Sequence, residues 1–290
     1  MHHGKVLLLL LVLSTSLFAK DFQGPIREDF DDLGLHDDVL IYLPSDYNEL
    51  KSYPLILSLH GLGASAYIQN ITFNFKEFIT QKQFILVVPE GMVGMGGLHY
   101  WNATDFCCGS RQRTKVDDVE YLSSVIEKMI SNYSVNPKEV HLFGHSNGGF
   151  MANRLACDVP HLFKSFASFA GTTWLDPSKC KSSSALSMLH IHGNIDNIVV
   201  YDGIEGSYPG ALETTQRWVK RNNCKGTAKV SKNEIFYYRP YDKNYLTTEQ
   251  SWNDCDDGTK VSLWSVEDLS HMVRFNSEYL ERILDFFLEV

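Results

Sequence analysis

Between an apolar run, Val140-His141-Leu142-Phe143, and a segment with apolar residues at helical spacing, the chain reads Gly144-His145-Ser146-Asn147-Gly148-Gly149. A chain that passes from strand to helix through Gly-x-Ser-x-Gly has little choice of path. The turn is so tight that a Cβ at either flanking glycine would clash, and the serine between them is held in a strained conformation with Oγ exposed. By itself the pattern is weak, because at Gly and Ser frequencies near ~7% about one chain in ten of this length carries it by chance. The flanks supply the context. A β-type run precedes the serine, and Phe150, Met151 and Leu155 recur at helical spacing after it. The competing reading is an ordinary tight turn.

Strand-like and helix-like segments alternate along the rest of the chain. Strands are predicted over 39–43, 54–60 and 84–88, with a helical stretch over 67–81 between the last two. A helix over 117–130 follows, with Asp117 or Asp118 at its cap. Beyond the serine segment come strands over 165–170 and 186–192, a helix over 211–221, a strand over 261–266 and a terminal helix over 277–288. Such alternation predicts an α/β fold with a mainly parallel central sheet covered by helices on both faces. Ligands in such sheets sit outside the carboxyl ends of the strands, which is where the motifs below fall. No repeat, low-complexity tract or linker interrupts the pattern.

Of the 290 residues, the first 19 read as a cleavable signal peptide. His2, His3 and Lys5 make a short polar start, residues 6–13 are unbroken apolar, and the segment ends at the small residue Ala19. Leu17 departs from the small residue preferred before such a junction. The apolar run is too short for a permanent bilayer span. Removing 19 of 290 residues leaves 271, read as one catalytic domain over 20–290, and removing one Lys takes the formal charge from −9 to −10. An acidic chain argues against nucleic acid or an anionic membrane as partner. All six cysteines lie beyond the leader, and an even count in an exported chain reads as disulfides whose pairing sequence leaves open. No Cys-x-x-Cys pair is present to suggest a metal site.

A serine hydroxyl becomes a useful nucleophile when a histidine takes its proton and a carboxylate fixes that histidine. In the α/β-hydrolase fold the order along the chain is Ser, acid, His. With Ser146 as nucleophile and Asp196 as acid, only His271 remains downstream to be the base. Asp196 ends His192-Gly193-Asn194-Ile195-Asp196, a loop leaving an apolar strand; Asp176 and Asp202 compete for its role. For His271 the plain alternative is a surface-loop histidine. Acyl transfer puts negative charge on the carbonyl oxygen, so two main-chain donors are needed beside the nucleophile. They are expected from Asn147 and from Leu62, in the small-residue loop His60-Gly61-Leu62-Gly63. Tyr100, Trp101 and Phe106 form an aromatic cluster before Cys107-Cys108. Such clusters usually belong to the core, but at the ligand end of a sheet Trp101 and Tyr100, with His60, are expected to line the substrate site. His190 and His192 share one strand face without a third ligand nearby, and His145 is expected to pack in the turn. No metal or cofactor is expected.

These motifs resemble the secreted polyhydroxybutyrate depolymerases and the feruloyl and acetyl-xylan esterases grouped with them. The matching stretches are Leu59-His60-Gly61, Val88-Pro89-Glu90-Gly91, Trp101 with Cys107-Cys108, and Val116-Asp117-Asp118-Val119. They continue with Gly144 to Met151, Leu155-Ala156-Cys157, His192 to Asp196, Val199 and Tyr201-Asp202-Gly203. The resemblance implies Ser146, Asp196 and His271 as a triad. It also implies the pairs Cys224 with Cys255 and Cys157 with Cys180, leaving Cys107 and Cys108 as a vicinal pair. One departure matters. The family usually follows its catalytic histidine with Trp-Pro-Gly, whereas this chain has Met272-Val273-Arg274 there, so acyl or alcohol specificity does not carry over. No separate polymer-binding module is visible. The expectation is an exported or periplasmic serine carboxylic-ester hydrolase acting through an acyl-enzyme on a small or oligomeric ester. The alternatives are a thioesterase or acyltransferase with the same triad, or a hydrolase-like fold used only for binding.

Overall fold

In the computed structural model described here, residues 24–30, 36–94, 96–108, 116–236, 244–272 and 275–289 are covered. The expected leader at 1–19 lies outside them. In chain order the strands are β1 (Ile26–Glu28), β2 (Val39–Tyr42), β3 (Tyr53–Leu59), β4 (Ile85–Val88), β5 (Met92–Val93), β6 (His99–Tyr100) and β7 (Val135–His145). They continue as β8 (Ser165–Phe169), β9 (Ser187–Gly193), β10 (Gly203–Ile204), β11 (Tyr208–Pro209), β12 (Lys229–Phe236), β13 (Asn244–Trp252) and β14 (Val261–Val266). Ten of them make one sheet in the order β1-β2-β4-β3-β7-β8-β9-β14-β13-β12. From β4 to β14 every neighbouring pair is parallel. Both margins are antiparallel. The short pairs β5/β6 and β10/β11 stand apart from the sheet.

The central strands read as continuous apolar runs because both of their faces are covered. Successive residues alternate between two cores. Leu55, Leu57 and Leu59 of β3, with Val140 and Leu142 of β7, face one cluster. Ile56 and Phe143 face the other. The first cluster is closed by helices Asp118–Asn132, Asn147–Asp158 and Ala211–Arg221, through Leu122, Ile126, Met151, Leu155 and Trp218. The second is closed by Ala66–Thr72 and Ser277–Leu288, through Ala66, Leu280, Ile283 and Phe287. Asp117 caps its helix as expected, its carboxylate accepting from Val119 N and Glu120 N.

Besides the short strands β1, β5, β6, β10 and β11, two regions differ from the sequence expectation. The helix expected over 67–81 is broken into Ala66–Thr72, a 3₁₀ turn Phe75–Phe78 and Ile79–Lys82. Phe73 and Phe75 both point into the second core. Residues two apart lie on nearly opposite sides of a helix, so burying both requires the chain to leave the helical path. The hairpin β12/β13 was not expected at all. It carries a register from Lys229↔Ser251 to Phe236↔Asn244. Residues 229–232 are exposed, so backbone pairing to the sheet margin, rather than burial of an apolar face, makes this segment a strand.

Three disulfides join Cys107 to Cys108, Cys157 to Cys180 and Cys224 to Cys255. Among the described residues no helix is long and apolar enough to cross a membrane.

Candidate active site

Because β3, β7, β9 and β14 run parallel, the loops that leave them emerge at one edge of the sheet. Ser146 occupies the turn between β7 and the helix Asn147–Asp158, at φ 54° and ψ −116°. Its N–H donates to Phe169 O at 2.8 Å. The glycines around it are required by contact. A Cβ on Gly144 would lie 2.0 Å from Gly148 O, and one on Gly148 would lie 2.4 Å from Leu59 O. The strained serine is the expected signature of a nucleophile-bearing turn.

His271 Nε2 lies 2.8 Å from Ser146 Oγ, and His271 Nδ1 lies 2.7 Å from Asp196 Oδ2. The histidine and the aspartate are both buried. The structure therefore brings together the three side chains singled out from the sequence. Asp176 and Asp202 are both exposed. Asp176 caps a short turn, accepting from Ser178 N. The approach of His271 to Asp196 depends on Gly193, where a Cβ would lie 2.1 Å from Leu269 O. Asp268 N donates to Asn194 Oδ1 at 2.7 Å and ties the two loops together.

Burial alone would raise the Asp196 carboxyl, but donors from His192, His271 and the main chain outweigh it and hold the group well below the usual carboxylate range. Oδ1 accepts from Ile198 N at 2.9 Å and Val199 N at 3.0 Å. His192 Nε2 stands 3.3 Å from Oδ2. Sequence reading placed His192 on a strand face with His190 and missed this contact; its only trace is the spacing His192-Gly193-x-x-Asp196 across a tight turn. His145 packs against Phe73, Phe169 and His271. Its pKa is lowered to about 3, by burial first and then by the neighbouring His271, which suits the packing role expected of it.

The loop after β3 meets the nucleophile closely. A Cβ on Gly61 would lie 3.2 Å from Ser146 Cβ and 3.4 Å from His145 Nδ1. Leu62 follows directly, its side chain exposed. Asn147 opens its helix, so its main-chain N–H belongs to the first turn, whose donors have no partner within the helix and attract negative charge.

The expectation that His60, Tyr100 and Trp101 line the substrate site needs correction. All three have no accessible surface and lie beneath the site. His60 Nδ1 donates to Gly61 O at 2.8 Å, and its Nε2 accepts from Gly91 N at 2.9 Å. Trp101 Nε1 donates to His60 O at 3.0 Å. The Asn147 side chain grips the Trp101 main chain, accepting from its N–H at 2.7 Å and donating to its carbonyl at 2.9 Å. These residues lock the loop after β3 to the serine turn, and their aromatic surface is spent on that packing. Exposed apolar side chains on the loops that carry His60, Asp196 and His271 are Leu62, Ile195, Ile198 and Met272.

Comparison with known proteins finds esterases. The chain is 25% identical to feruloyl esterase B of Piromyces equi over 244 residues, 80% of this chain and 42% of that protein. It is likewise 25% identical to the bifunctional acetylxylan esterase/xylanase XynS20E of Neocallimastix patriciarum over 238 residues, 82% of this chain and 31% of that protein. The chain thus spans less than half the length of these relatives. A poly(3-hydroxybutyrate) depolymerase of Ralstonia pickettii is 29% identical over 125 residues, 40% of this chain and 25% of that protein. Among solved structures, the acetyl xylan esterase from Aspergillus awamori superposes with a TM-score of 0.67 at 16% identity, covering 91% of this chain and 99% of that one. A ferulic acid esterase from Anaeromyces mucronatus gives a TM-score of 0.52 at 12% identity, covering 93% and 92%. These likenesses show an α/β-hydrolase fold. The family model described as "Putative esterase" matches residues 33–248, a span that holds Ser146 and Asp196 and stops short of His271. With most of its length inside that match, the chain belongs to the Esterase family.

Proposed function

We propose that this protein is a serine carboxylic-ester hydrolase that works through an acyl-enzyme on Ser146. The observation that carries this reading is the unbroken hydrogen-bonded series from Ser146 Oγ through His271 to Asp196, at 2.8 and 2.7 Å. In it, His271 Nε2 takes the Ser146 proton as Oγ attacks the ester carbonyl carbon. The negative charge that forms on the carbonyl oxygen is met by the N–H groups of Leu62 and Asn147. His271, now protonated, gives its proton to the leaving alcohol as the carbon–oxygen bond breaks. Water then follows the same route: His271 removes its proton, its oxygen attacks the acyl carbon, and Ser146 recovers its proton as the acid leaves. Asp196 stays ionised throughout and holds His271 Nδ1–H.

The relatives' names point to feruloyl and acetyl esters of plant polysaccharides as the substrate class, with hydroxybutyrate esters as a further candidate. Residues 20–290 are read as one catalytic unit. Export through the leader at 1–19 accords with three disulfides, which persist in oxidising compartments. The test is ester hydrolysis by Ser146→Ala, assayed on a soluble aryl acetate and on feruloylated and acetylated oligosaccharides. We expect a loss on the order of 10³-fold or more in kcat with the fold intact. Near-normal turnover by a folded Ser146→Ala protein would overturn the reading.

A further inference from the structure

Asp196 receives more donors than the orientation of His271 requires. Besides two main-chain N–H groups on Oδ1, its Oδ2 faces both His271 Nδ1 at 2.7 Å and His192 Nε2 at 3.3 Å. The same His192 nitrogen lies 2.8 Å from Val199 O. Both neighbours of Nε2 are acceptors, so it carries a proton, which it donates to Val199 O while standing in close electrostatic contact with Asp196 Oδ2. The other nitrogen of that ring, Nδ1, lies 3.1 Å from His190 Nε2. His190 and His192 have no exposed surface, so no water-facing rotation can exchange these roles.

The proton between the two rings must sit on one of them. Were it on His192, that ring would be an imidazolium sharing Oδ2 with His271, and it would oppose the positive charge His271 has to acquire in turnover. With the proton on His190 Nε2, His192 is neutral, and His190 Nδ1 is left as a lone pair. Among the described residues His190 Nδ1 has no hydrogen-bond partner, so no acceptor there calls for a proton on it. Burial, and then the adjacent His192, holds the His190 ring well below its ordinary pKa, in keeping with a neutral ring. Tyr201 closes the remaining side of His192, edge-on at 5.5 Å, with its own hydroxyl on Ser265 Oγ at 2.5 Å.

We propose that His192 is a positioning residue of the reaction: a neutral imidazole whose Nε2–H fixes Asp196 Oδ2 toward His271, with its tautomer set by His190. It neither touches substrate nor moves a proton. The inference rests on the reading of Ser146, His271 and Asp196 as the catalytic group. An unused donor at this place would do nothing for rate, whereas one that fixes the acid acts only through it, and that difference can be measured.

The experiment is a double-mutant cycle on a soluble aryl ester, with thermal unfolding of each variant to confirm folding. We expect His192→Phe to lower kcat about 10-fold or more, with KM within about twofold of wild type. His192→Gln, whose amide can still donate, should recover most of that loss. In an Asp196→Asn background His192→Phe should cost less than about twofold further, because the group through which it acts is already disabled. On wild-type protein labelled with ¹⁵N-histidine, both rings should be neutral with the proton on Nε2 at pH near 7. Equal losses from His192→Phe in the two backgrounds would overturn the proposal, and so would a charged or Nδ1-protonated His192. The wild-type spectrum decides even if His192→Phe does not fold. A dead Ser146→Ala beside a fully active His192→Phe would refute this inference alone. An active Ser146→Ala would instead remove the reading on which it stands.

Discussion

Ser146 holds a positive φ that a serine avoids, at a cost of about 1–3 kcal/mol, and the surrounding glycines leave it no room to relax. The strain is localised at the one atom that must be presented. Its partners are less constrained by backbone and more by hydrogen bonds, which makes the acid the informative residue to change. Replacing Asp196 by Asn keeps the shape but favours the wrong His271 tautomer, so kcat should fall by about 10⁴-fold. Asp202→Asn, at an exposed position away from His271, should cost little. Steady-state kinetics of the two variants on one ester checks this, and the reverse ranking would reassign the acid. At this scale the sequence was informative for a simple reason. A tight turn announces the serine, and chain order leaves only His271 downstream of Asp196. His192 stayed hidden because a strand histidine four residues before an aspartate looks the same whether or not the turn folds one back onto the other.

Among the elements, apolar runs of the parallel core were legible because burial on both faces writes itself into composition. The β12/β13 hairpin was not, since residues 229–232 are exposed, β13 is mostly half-buried, and the pairing of the two is made by main chain. The break after Thr72 was missed because helical spacing was read through Phe73 and Phe75, whose burial forbids it. The β6 segment shows how position along an element misleads. Tyr100 and Trp101 stand near the ligand end of the sheet, yet both rings turn inward. Trp101→Ala should therefore lower stability by about 3–5 kcal/mol, as large core truncations do. In melting temperature that is on the order of 10 °C for a chain of this size. The ranking of acyl groups by kcat/KM should stay as in wild type. A changed ranking with an unaltered melting temperature would return Trp101 to the substrate.

For the molecule as a whole, buried neutral histidines set the response to acid. Burial, with a smaller contribution from Lys164, lowers His141 to about 3; burial and then His271 do the same for His145. His190 lies well below 6.5, again by burial first. Unfolded, each ring takes a proton near pH 6.5, whereas folded it takes none until far lower. Stability is therefore full above about pH 6.5 and declines as pH falls, on the order of 1 kcal/mol per pH unit for each such ring. Melting temperature should drop steadily between pH 7 and 4.5, and His141→Gln should flatten that slope. A melting temperature independent of pH over this range would refute the assignment. The same global architecture also governs when chemistry can begin. Ser146 and His271 are 125 residues apart, and His271 follows β14, the last strand of the sheet. With His271 as the base proposed above, a nascent chain complete only up to β13 holds a serine turn and its proposed acid but no base. On that assignment the proposed activity waits until the final strand inserts beside β9.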